Sequence, residues 1–84
     1  DETSGIMNFF LMAIKEPRKT YRRLLSFFKG SEEATKIFLA TIFVEAFPES
    51  AAEETTMEFI HALKKDDTEN VLRILTKVAK ALEI

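Results

Sequence analysis

Residues Ile37 to Phe47 read IFLATIFVEAF, and nine of these eleven are apolar. At 3.6 residues per turn their side chains surround a helix on nearly every side, interrupted only by Thr41 and Glu45. A helix that is apolar all round has to be covered all round. In a chain of 84 residues this is demanding. A domain of that size buries roughly two-thirds of the surface its unfolded chain exposes.

The rest of the chain also reads as helical. Two Gly and two Pro supply little turn material. Beta-branched residues are scattered among good helix formers, with no sustained period-two alternation. The expected fold is all-α: one domain over residues 1–84, a compact bundle of five short helices with helix 3 at its centre.

Helix 1 is expected from Ser4, as cap, to Lys15, because Pro17 disfavours helical geometry at Glu16. Ser4, Asn8 and Lys15 form its one narrow polar strip. Helix 2 begins at Pro17 and stops at Gly30. Tyr21, Leu24, Leu25, Phe27 and Phe28 make its apolar face. Helix 3 starts at Ser31, with Glu32 and Glu33 favoured at the positive helix N-terminus, and ends before Pro48. For helix 4, Ser50 and Glu53 have capping-box spacing, and Thr55 with Glu58 offers a later start. Its buried face is Ala52, Thr56, Phe59, Ile60 and Leu63. Helix 5 begins near Asp67 or Thr68 and buries Val71, Leu72, Ile74, Leu75, Val78, Ala79 and Leu82.

Helices 2, 4 and 5 are thus one-sided, whereas helices 1 and 3 are apolar on most of their surface. Three one-sided helices can sheath one central helix, but sheathing two is difficult; either helix 1 closes one side of helix 3 and a few apolar residues stay exposed, or part of helix 1 or helix 3 meets another chain. A second chain would complete the burial, and a homo-oligomer or a protein partner is the expectation. The candidate interface residues are Phe9 and Phe10 on helix 1 and Thr41 and Glu45 on helix 3. Thr41 and Glu45 lie about 40° apart on the wheel and form a thin polar seam. That seam either faces water or sets Glu45 against a cation across the interface.

Charge is unevenly spread. The net charge is −2, which argues against general nucleic-acid affinity. Residues 1–30 nevertheless hold six basic and three acidic groups, and residues 31–63 hold one basic and seven acidic. Arg18, Lys19, Arg22, Arg23 and Lys29 fall on the side of helix 2 opposite its apolar face. They are the candidate contacts for phosphates or for an acidic partner. Arg73, Lys77 and Lys80 would extend the patch if helices 2 and 5 lay side by side. A nucleic-acid-binding domain is therefore the alternative reading. Helix 2, Gly30–Ser31 and helix 3 have the outline of a helix-turn-helix, but Glu32 and Glu33 would repel the backbone phosphates a reading helix must approach.

No enzyme chemistry is expected. The chain has one His and no Cys. Glu58 and His61 have the Glu-x-x-His spacing of di-metal carboxylate bundles. Here they point away from the apolar face of helix 4 and form half of such a set, so no metal and no cofactor are expected. No Gly-rich phosphate loop is present. Both long apolar stretches fall short of the ~20 residues of a membrane helix, and with the lack of Cys this suggests a cytoplasmic chain. Position 1 is Asp rather than Met, as in a piece of a longer protein.

Overall fold

The structure, a computed structural model, describes residues 2–83. Among the described residues there are five helices and no strand: α1 Glu2–Lys15, α2 Pro17–Phe27, α3 Glu32–Ala46, α4 Glu49–Lys64 and α5 Thr68–Leu82. None is long and apolar enough to cross a membrane.

The breaks between helices have local causes. Pro17 opens α2, where its missing N–H costs nothing. At the end of α2 the Gly30 N–H donates to the Leu25 carbonyl at 2.6 Å, and Lys29 and Gly30 both take positive φ, 55° and 83°. This closes the helix in a Schellman-type turn. The Ser31 hydroxyl then accepts the Ala34 N–H at 3.0 Å and caps α3. Asp67 caps α5 through the Asn70 N–H at 3.2 Å.

Two expected caps do not form. α1 extends back to Glu2, so Ser4 lies inside it. α4 starts at Glu49 with Pro48 as its N-cap, because the extended Pro48 (φ −57°, ψ 150°) delivers the chain directly into the helix. Ser50 and Glu53 are then inside the first turns, where they cannot form a capping box.

The bundle class matches the sequence expectation; the central position does not belong to α3. That place is taken by α4, which packs against α2, α3 and α5 and buries five side chains; α3 also touches α2 and α5 but buries three, and α1 lies against α2 and α5. α4 presents Ala52, Thr56, Phe59, Ala62 and Leu63 to the core. The small residues among them let neighbouring helices approach closely. α3 buries a single stripe, Thr35, Leu39 and Phe43. The Phe43 ring meets Phe59 of α4 edge to face, with centroids 5.3 Å apart.

Three threonines are buried, and each donates its hydroxyl to the carbonyl four residues back. Thr20 reaches Glu16 at 2.8 Å, Thr35 reaches Ser31 at 2.9 Å and Thr56 reaches Ala52 at 2.7 Å. Their polar atoms are thereby satisfied inside the bundle. The Cα radius of gyration is 11.7 Å for the 84 residues, against about 12 Å expected for a closed domain of that length. Among the described apolar side chains of α1, Leu11 is 52% exposed and the others are covered at least in part within one chain. Ala13 and Phe10 are buried, and Phe9 and Ile14 are half-buried.

Candidate functional site

The five cations of α2 and the turn after it are all exposed, but they are not equivalent. Arg18 is tied to the end of α4: its backbone N–H donates to Asp66 Oδ1 at 3.3 Å, and its Nε donates to the Lys64 carbonyl at 3.4 Å. That carbonyl is one a helix C-terminus leaves unpaired, so Arg18 has a structural role. Lys19 lies 3.7 Å from Glu16. Arg22 shares a shallow cleft of about 370 Å³ with Lys15, Arg18 and Lys19, and Asp66 and Glu16 form part of its wall. Arg23 turns the other way and donates from Nη1 to Met12 Sδ at 3.7 Å.

Arg23 forms part of the wall of a different feature, a groove of about 310 Å³ where α1, α2 and α3 converge. The remaining lining is Phe9 and Met12 from α1, Thr20, Leu24, Phe27 and Phe28 from α2 and its turn, and Phe38 from α3. Three of the rings are in series. Phe27 meets Phe28 edge to face at 5.0 Å, and Phe28 meets Phe38 at 5.5 Å. Phe27 is 78% exposed and Phe38 39% exposed. Phe27 was expected on the buried face of helix 2. It stays in water because α2 ends at that residue and the chain turns away through Lys29 and Gly30.

The sequence-derived interface residues divide. Phe9 lines the groove. Phe10 does not belong to a free surface: it is 4% exposed and packs in the core. Thr41 and Glu45 are both exposed, and the Thr41 hydroxyl donates back to the Ile37 carbonyl at 2.9 Å. The seam is therefore the outermost line of α3. Phe38 flanks it on one side, and Ile37 and Val44, 58% and 51% exposed, flank it on the other. Those last two line a depression of about 230 Å³ against α4, with Ala40 and Thr56, whose rim carries Glu33, Glu49 and Glu53 and one cation, Lys36.

Phe27, Phe28, Phe38, Ile37 and Val44 were thus missed as surface residues. The only sequence signal for Phe27 and Phe28 was their place directly before the Lys29–Gly30 turn, where a helix face runs out.

Some of the remaining polar groups pair between helices. Glu58, half of the Glu-x-x-His pair, is bound to Arg73 at 3.3 Å. Glu58, His61, Asp67, Asn70 and Arg73 surround a small pocket of about 130 Å³. Among the described residues no group of three or more His, Cys, Asp and Glu is placed to hold a metal ion. Between α2, α3 and α4, Lys64 Nζ lies 3.3 Å from Glu32 and 5.4 Å from the centre of the Tyr21 ring, whose hydroxyl donates to Glu32 at 3.3 Å. Burial raises the Tyr21 pKa above its ordinary value, with the Glu32 charge adding and the Lys64 charge opposing. The hydrogen bond to Glu32 raises that of Lys64.

α2 and α5 do not pack side by side, so Arg73, Lys77 and Lys80 do not continue the α2 stripe. Compared with known proteins, the chain matches no family model, no curated protein and no solved structure.

Proposed function

We propose that this protein is a non-enzymatic helical association module, and that its working surface is the aromatic groove between α1, α2 and α3. The observation that carries this reading is the exposure of Phe27, 78%, at the mouth of a groove walled by further apolar side chains. A Phe side chain buries on the order of 200 Å², so roughly 150 Å² of this ring would leave water on contact. At about 25 cal/mol per Å² that is worth up to ~4 kcal/mol, the scale of an interface hot spot. A soluble chain rarely leaves such rings together on its surface without a partner. The apolar side chains that α3 leaves exposed, Ile37, Phe38 and Val44, make a second copy of the chain the favoured partner.

The test is sedimentation velocity of the wild type and of Phe27→Asp from micromolar to millimolar concentration. Concentration-dependent association, lost in the variant, supports the reading. A wild type that stays monomeric throughout removes it.

The nucleic-acid alternative has the exposed Arg22, Arg23 and Lys29 in its favour and the separation of α2 from α5 against it. Binding of a labelled oligonucleotide that weakens steeply with salt and disappears in Arg22→Glu/Arg23→Glu would put it first.

A further inference from the structure

The aromatic groove is paired with a second apolar surface on the same molecule, of opposite charge. Of the five cations in residues 17–29, Arg23 is the one that lines the groove. A partner that brings apolar side chains with a carboxylate beside them is therefore favoured there. The depression between α3 and α4 offers that combination: exposed Ile37 and Val44, with Glu33, Glu49 and Glu53 on its rim against the single Lys36.

The two surfaces lie on opposite flanks of α3. On its helical wheel Phe38 stands about 100–120° from Ile37 and Val44, so the two surfaces diverge and cannot meet within one chain. A symmetric pair closing across the Thr41–Glu45 line is disfavoured in both directions. Parallel α3 helices would set Glu45 against its own copy, and antiparallel ones would bring basic flank to basic flank. A contact between the unlike surfaces of two copies avoids both conflicts.

We infer that the chain self-associates head to tail: the aromatic groove of one copy, with exposed Phe27 at its mouth and Arg23 beside it, packs against the Ile37–Val44 depression and acidic rim of the next. This rests on the reading of the groove as an association surface, and it names what the groove takes. Such a contact uses a different surface on each partner, so assembly continues past the dimer until it closes into a ring or runs on as a chain.

The test uses two variants, Phe27→Asp in the groove and Glu49→Lys/Glu53→Lys on the acidic rim. All three altered side chains are exposed, and circular dichroism checks that both variants keep the wild-type helix content. At low salt each variant alone should associate about tenfold or more weakly than the wild type. Mixed one to one they should form a heterodimer that grows no further, because each supplies the surface the other lacks. Raising salt should weaken wild-type assembly.

Association of the rim variant at wild-type strength, or a mixture that remains monomeric while the wild type assembles, overturns the head-to-tail inference. If the rim variant still assembles while Phe27→Asp does not, the groove reading survives without it. If the groove instead takes an acidic amphipathic helix from another protein, the wild type alone stays monomeric, and that outcome rejects self-association and with it the head-to-tail inference.

Discussion

Phe43→Ala is the sharpest probe of how α3 is held. The ring is 1% exposed and packs edge to face on Phe59 at 5.3 Å. Removing a fully buried Phe costs ~3–5 kcal/mol through lost transfer energy and the cavity left behind. Of that, about 0.5–1.5 kcal/mol belongs to the aromatic pair. A domain of 84 residues has a total stability of roughly 4–13 kcal/mol. The variant should therefore lose a large part of its stability, with a melting temperature lower by roughly 12–40 °C.

The internal comparison is Phe27→Ala. With 78% of that ring already in water, only about 40 Å² of burial is lost, or ~1 kcal/mol. Urea unfolding followed by far-UV circular dichroism, at a concentration low enough to keep the chain monomeric, measures both, and an unchanged slope confirms that the same transition is being compared. If Phe43→Ala is already unfolded in water, Phe43→Leu leaves a smaller cavity, costs less than Phe43→Ala and gives a readable midpoint. A loss within ~1 kcal/mol for Phe43→Ala, or a larger loss for Phe27→Ala than for Phe43→Ala, would refute the packing of α3 on α4 described above.

Gly30→Ala should destabilise by about 1 kcal/mol or more in the same assay, because the backbone there holds φ 83° and no neighbour compensates an added Cβ. Stability should fall on the alkaline side. Tyr21 and Lys64 both hold their protons more tightly folded than unfolded, from ordinary values of 10.0 and 10.5. Their contribution is complete below about pH 10 and is lost as pH rises through the raised values. Tyr21→Phe should flatten that decline in a series of urea midpoints against pH.

Much of the architecture was legible because helix punctuation is local. Pro17, Gly30 and Pro48 mark the breaks between the first four helices, and the one-sided periodicity of α4 and α5 identified most of their buried positions. The functional surface was less legible. Leu72 fell on the expected stripe of α5 and is nevertheless exposed, since a wheel gives the centre of a face but not how far the neighbours reach around it. The groove depends on Phe9, Phe27 and Phe38, which come from three separate helices, and sequence spacing carries no sign of their meeting.

The basic run on α2 and the acidic stretch after it were visible from charge counting alone. That Arg18 is spent on the end of α4, while Arg23 stands at an aromatic groove, follows only from how α2 lies against its neighbours.

By itself, the sequence determined that this chain forms helices, where most of them stop and which faces of the amphipathic ones turn inward, because propensity, caps and periodicity act within a few residues. It could not determine which side of α3 is covered, because a helix apolar on nearly every side carries no periodic signal to orient it. Packing decided that. α4, with Ala52, Thr56 and Ala62 admitting close neighbours, took the centre, and α3 was left with one buried stripe and with exposed apolar side chains on both sides of its Thr41–Glu45 line.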